Sequence, residues 1–204
     1  MKNYIKLCMD RHPNLGCCEA DMSNSIDFLC DSFKKKHKLL LCGNGGSAAD
    51  SGHMAAELLK GFKLKRKITG NIKNDLGEDL LEHLQGSLPA ISLPDFVSLN
   101  TAYANDCSPE YVFAQLVFGL GLENDVLLAI STSGNSKNII LAARTALAKK
   151  MKVIGLTGKT GGQLANYCTV CIRVPEIETY LVQELHVVVY HTICLTIEQY
   201  FFDN

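Results

Sequence analysis

Two short segments of the chain are dense in small polar residues and suit the binding of an anion. The first is Gly43-Asn44-Gly45-Gly46-Ser47, and the second is Ser131-Thr132-Ser133-Gly134-Asn135-Ser136. Glycines let the backbone approach a ligand closely, and N–H groups at the start of a helix favour negative charge. Ser131, Thr132, Ser133 and Ser136 add four hydroxyls within six residues. Such a set can hold a phosphate without a lysine. Neither segment is a Walker loop, because no Gly-Lys-Ser/Thr closes it, and GxGxxG spacing is missing. Either turn alone could be an ordinary helix start, but two in one chain point to a phosphate ligand. Other residues suit proton transfer. His53 and Glu57 are four positions apart, which places both on one face of a helix. Gln183, Glu184, His186 and His191 fall in a late apolar stretch.

The elements that must carry these residues follow from the apolar pattern. Leu39–Cys42 is an apolar run that ends at the first turn, and a helical pattern over 48–59 follows it. Residues 126–130 form a second run ending at the second turn, followed by a helix over 137–149. Further strands are expected over Lys152–Thr157 and 168–174, with a weaker one at 89–93 between prolines. Strands alternating with helices predict the α/β class, a doubly wound parallel sheet flanked by helices. In such sheets ligands bind beyond the carboxyl ends of the strands, where both polar turns lie. Residues 21–36 have helical spacing. Residues 177–202 predict a long helix that is apolar nearly all round, as expected of a helix buried in an oligomer interface. Residues 63–88 are polar and read as a long excursion with one short helix around 78–85.

The bulk properties bound the function. A chain of 204 residues suits one domain over 1–204, with a helical segment at 1–36 and the 63–88 stretch as a long connection or insertion. The net charge of −1, from 20 basic and 21 acidic residues, lacks the basic excess of a nucleic-acid or membrane surface. Without an unbroken apolar run of about 18 residues, no transmembrane helix is expected. Met1-Lys2-Asn3-Tyr4-Ile5-Lys6 lacks a signal-peptide core, so the expected location is cytoplasmic. Nine cysteines, an odd number at irregular spacing, argue against a disulfide framework. Cys168-Thr169-Val170-Cys171 is formally CxxC, but a strand there would turn the two thiols to opposite faces, so a metal or redox role is the lesser reading.

The two turns, together with Val174-Pro175, Gln183-Glu184-x-His186 and His191, resemble the sugar-isomerase (SIS) domain, and most closely the phosphoheptose isomerase family within it. The resemblance runs from about residue 20 to the end of the chain. It implies an aldose–ketose isomerase acting on sedoheptulose 7-phosphate and D-glycero-D-manno-heptose 7-phosphate, on the route to surface polysaccharide. It implies a homotetramer that binds zinc. By the same resemblance, Asn44, Gly45, Gly46, Ser47, Ser131, Thr132, Ser133, Ser136, Asn105, Asp106, Glu57 and Gln183 contact substrate. Glu57 and His191 are the acid and base, and His53, Glu57, Gln183 and His191 occupy the zinc positions. Gln183 and His191 are eight positions apart, about 12 Å along a helix. One ion can take both only if the helix deforms or if they come from different subunits; otherwise one of them serves the substrate. Two departures stand out. Tyr180 occupies the place of a usual aspartate, and residues 63–88 are about 20 longer than the usual connection. The rival readings are a non-catalytic SIS protein that binds a sugar phosphate or a replication-initiator-type partner, and an isomerase of another ketose phosphate. Retention of Glu57 with both histidines favours the enzyme.

Overall fold

A computed structural model describes residues 3–203. Five parallel strands form one sheet: β1 (Leu39–Cys42), β2 (Ala90–Ser92), β3 (Val126–Ser131), β4 (Lys152–Thr157) and β5 (Val170–Arg173). Their spatial order is β2-β1-β3-β4-β5. The chain runs from β1 outward to β2, then returns to the other side of β1 for β3. The direction of winding therefore reverses between β1 and β3, and the two polar turns leave the carboxyl ends of these neighbours. That crevice is where open α/β sheets bind ligands.

The period of two along each strand divides the apolar side chains between two cores. Leu39, Leu41, Leu128, Ile130, Ile154 and Leu156 face one core, with α2 (Glu19–Lys34), α3 (Gly46–Leu59) and α9 (Thr179–Phe202). Leu40, Cys42, Leu127, Ala129 and Val153 face the other, with α7 (Val112–Leu120) and α8 (Lys137–Ala148). Both faces of the sheet are covered, which is why the central strands read as continuous apolar runs. α1 (Tyr4–Arg11) is separated from α2 by a 3-10 turn that begins at Pro13.

Three features depart from expectation. First, α6 (Val97–Asp106) and α7 appear where no clear period marks the sequence. α6 buries no residue, and α7 is apolar almost throughout, so neither shows a clean amphipathic stripe. Second, α9 is, among the described residues, the one helix long and apolar enough to span a membrane, with a window of mean hydropathy 1.2. Interspersed polar residues hide this in a search for an unbroken run. The apolar character serves packing, because α9 lies against α1, α2 and α3. Third, β5 starts at Val170 and the chain bends at Thr169, so Cys168 lies outside the strand. Both thiols of the CxxC consequently face Gly155 on β4, not opposite sides of the sheet.

Residues 63–88 form an exposed excursion with two short helices, α4 (Ile72–Asp75) and α5 (Glu78–His83). Its two ends are held together. Gly86 N–H donates to Arg66 O (3.0 Å), Leu88 N–H to Leu58 O (3.1 Å), and Gly61 N–H to Gln85 Oε1 (2.9 Å).

Candidate active site

The first turn brings β1 into α3. Gly45 adopts φ 55°, ψ −121°, a combination that essentially requires glycine. A Cβ on Gly46 would stand 2.5 Å from Gln183 Nε2, so the bare backbone there lets Gln183 of α9 lie directly over the loop. In the second turn, Ser131 Oγ donates to Ser136 Oγ (3.1 Å). The two turns are joined by a reciprocal amide pair: Asn44 Nδ2 donates to Asn138 Oδ1 (2.9 Å), and Asn138 Nδ2 to Asn44 Oδ1 (2.8 Å). Between them lies a cavity of about 340 Å³ lined by Asn44, Gly45, Gly46, Ser47, Ser131, Thr132, Ser136 and Gln183, with Ile130 and Thr179. No charged side chain lines it among the described residues. What it offers an anion are hydroxyls, amides and the starts of α3 and α8.

The cavity gathers most of the predicted phosphate residues but not all. Ser133 is absent from its lining; its Oγ accepts Asn135 N–H (3.1 Å) and closes the turn instead. Asn105 and Asp106 lie at the end of α6, exposed and bonded to each other (2.9 Å). Neither lines the cavity. Asn138 and Thr179 were not signalled by sequence. Each is a single polar residue near a helix start, a placement that reads as capping.

The second cluster lies where α3 meets α9. Glu57 Oε1 is 3.3 Å from His53 Nε2, and His53 Nε2 is 3.4 Å from His191 Nε2. Lys60 Nζ reaches Glu57 Oε2 at 3.1 Å. Glu57 is largely buried while His53 is close to half exposed. Burial, and then the neighbouring His53, push the His191 imidazole below its ordinary pKa against the opposing pull of Glu57, so it is neutral at neutral pH. Tyr190 positions His53. Its hydroxyl is 3.3 Å from Asp50 Oδ1, to which it donates, and 3.0 Å from His53 Nδ1. That contact fixes the imidazole ring with Nδ1 toward Tyr190 and Nε2 toward Glu57 and His191. His186, by contrast, is a core residue. It is fully buried, its ring nitrogens lack partners of good geometry, and burial pulls its pKa down to about 4 despite the nearby Thr157 backbone.

Two imidazoles and a carboxylate are donor types that zinc accepts. The spacing, however, does not close around an ion. Among the described residues no group of three or more His, Cys, Asp or Glu is arranged to hold a metal. Gln183 lies over the phosphate loop, and α9 is continuous from Thr179 to Phe202. Gln183 and His191 thus remain about 12 Å apart along an undeformed helix. The four zinc positions of the resemblance do not form a site within one chain.

Comparison with known proteins agrees with the fold. The SIS domain family matches residues 18–158. The phosphoheptose isomerase of Helicobacter pylori (strain ATCC 700392 / 26695) is 40% identical over 186 residues, covering 91% of this chain and 86% of that one. That of Campylobacter jejuni (serotype O:6) is 39% identical over 183 residues, covering 90% and 88%. Among solved structures, a phosphoheptose isomerase from Francisella tularensis superposes with a TM-score of 0.80 at 31% identity, covering 93% of this chain and 91% of that one. Sheet order, paired polar turns and sequence agree: the chain belongs to the SIS domain family and, within it, to the phosphoheptose isomerases.

Proposed function

We infer that this protein is an aldose–ketose isomerase that interconverts sedoheptulose 7-phosphate and D-glycero-D-manno-heptose 7-phosphate. The observation that carries the chemistry is the meeting of Glu57, His53 and His191. Moving a carbonyl between C2 and C1 requires a base to take a proton from one carbon and return it to the next through an enediol. Glu57 is the carboxylate for that transfer. A second group must pass protons between the two oxygens, and the neutral imidazole of His191 suits it. His53, in contact with Tyr190 through Nδ1, lies between these two side chains, within 3.4 Å of each. The phosphate rests between the two polar turns, on Ser47, Ser131, Thr132 and Ser136.

The test is direct. The protein is incubated with a panel of five- to seven-carbon ketose and aldose phosphates and followed by NMR. Conversion of the seven-carbon pair is the expected result. Binding of the sugar phosphate without conversion would instead identify a sensor. Within the cradle, Ser136→Ala is expected to raise KM about tenfold with a smaller effect on kcat, by loss of one hydrogen bond to a charged group. Ser133→Ala is expected to do less, since its hydroxyl is committed to the turn. An unchanged KM for Ser136→Ala would show that the phosphate sits elsewhere.

Three further properties are proposals that follow from family membership: a homotetramer, a cytoplasmic location and a role in surface-polysaccharide precursors. In support of the tetramer, α9 leaves Tyr180 and Tyr200 exposed and Leu185, Val187 and Val188 only half covered. Zinc is likewise proposed from family membership, at a site that His53, Glu57, Gln183 and His191 would complete only across a subunit interface. Elemental analysis of protein purified without a chelating tag checks this. About one zinc per chain, lost on His53→Ala, supports the site, and fully active protein without zinc removes it.

A further inference from the structure

The pair Cys168 and Cys171 has no part in the isomerase site. Both sulfurs converge on Gly155: a Cβ there would stand 2.5 Å from Cys168 Sγ and 3.2 Å from Cys171 Sγ. Gly155 is the register partner of Cys171, so the missing side chain leaves one space that the two sulfurs share. The bend at Thr169 fixes this geometry. Thr169 N–H donates to Val153 O (2.7 Å), and Thr169 Oγ1 accepts Val153 N–H (3.1 Å). Cys168 is partly exposed and Cys171 is buried. The Cys168 thiol donates to Leu164 O at 3.2 Å. The two thiols share their ionisation: the neighbouring Cys171 and then burial hold the Cys168 proton on, while the neighbouring Cys168, then Thr157 and Arg173, pull the Cys171 thiol down to about 6 against the effect of burial.

Leu164 links this pair to the phosphate turn. Its carbonyl accepts from Cys168, while its N–H donates to Gly134 O (2.9 Å). Beside it, Gln163 N–H donates to Asn135 Oδ1 (3.0 Å) and Gly158 N–H to Thr132 O (2.9 Å). The segment held by Cys168 is thus the segment that clasps the turn carrying Ser131 and Ser136.

We propose that Cys168 and Cys171 are a thiol–disulfide pair, oxidised by a low-molecular-weight disulfide, and that its closure loosens the phosphate turn. Cys168, the accessible thiol, loses its proton to solvent and attacks one sulfur of the small disulfide. That S–S bond breaks and one small thiolate leaves. The Cys171 thiolate then attacks the Cys168 sulfur of the mixed disulfide, forms the intramolecular bond and expels the second small thiolate. Two electrons pass from the cysteines to the small disulfide. Cys168 then has no proton to give Leu164 O, and the clasp loses its anchor on that side.

The test uses the full chain, with oxidised glutathione as oxidant, then alkylation of free thiols and peptide mapping by mass spectrometry. The expected product is a Cys168–Cys171 peptide about 2 Da lighter than the reduced one and free of alkyl groups. Calorimetry with inorganic phosphate is expected to show an affinity about threefold lower, restored by dithiothreitol. Cys168→Ser protein, treated alike, is expected to keep its affinity, which separates this pair from modification of the exposed Cys17 and Cys107. Two separate glutathione adducts, alkylatable thiols at both positions, or equal phosphate affinity in fully disulfide-linked protein would each overturn the proposal. Since the readout is phosphate binding, it rests on the cradle alone and stands apart from whether the protein turns over a heptose.

Discussion

Glu57→Gln lowers kcat by about 10³-fold while KM changes little, the scale expected for loss of a positioned general base. The substitution keeps the shape and hydrogen-bonding reach of the side chain, so the contact with His53 at 3.3 Å can persist. What disappears is an oxygen able to accept a proton from carbon. Lys60, which reaches Glu57 at 3.1 Å, loses its ion-pair partner, but its side chain is more than half exposed and water takes up the difference. Stopped kinetics with an unchanged circular-dichroism spectrum and unchanged oligomeric state would complete the result. Undiminished turnover would sink the assignment of the proton transfer to this carboxylate.

Glu198→Ala destabilises the fold by about 3–5 kcal/mol, the usual cost of removing one partner of a buried ion pair. The Glu198 carboxylate is almost fully buried and accepts four hydrogen bonds. They come from the N–H groups of Phe62 (2.7 Å), Lys63 (2.9 Å) and Leu64 (3.1 Å), and from Arg66 Nε (2.8 Å). Arg66, also buried, uses its other nitrogens on two carbonyls at the end of α3, Glu57 O (2.7 Å) and Leu58 O (2.6 Å), the latter shared with Leu88 N–H. Deleting the carboxylate strands three N–H groups and a guanidinium in the core. A fall in Tm of about 10 °C is expected for a chain of this size. Thermal unfolding checks it, and a shift of only a degree or two would show that water replaces the carboxylate. Because Arg66 holds the backbone of Glu57 itself, the same variant should also lose activity below its Tm.

The sheet was legible because each central strand is an apolar run cut off by a glycine-rich or hydroxyl-rich turn. β2 was faint, since it has three residues and follows a proline. In the site, the local part could be read. His53 and Glu57 share a helix face, and the hydroxyls of the second turn are adjacent in sequence. The rest is long-range. Tyr190 meets Asp50 and His53 from 140 and 137 positions away, and Asn138 meets Asn44 from 94. No spacing rule connects such residues; only the folding of α9 onto α3, and of β3 beside β1, does so. The CxxC was misjudged for a related reason. Alternation holds within a strand, and one bend at Thr169 was enough to end the strand before Cys168. Family resemblance supplied Gln183 as both a substrate contact and a metal position, and the bare backbone of Gly46 leaves room for that side chain over the phosphate loop.

The long excursion after α3 departs at Arg66 and returns at Gly86, one hydrogen bond away. Geometrically it is a pendant on a closed ring, so the core does not register how much chain hangs from it. Doubling the length of such a loop costs only about 0.6 kcal/mol. A lineage could therefore lengthen or trim this stretch with little selection against it from the sheet, and an engineer could exchange it for a fluorescent or affinity module. The Glu198–Arg66 lock sits on the core side of that ring, so the part of the chain free to vary begins just beyond the residue that secures Glu57.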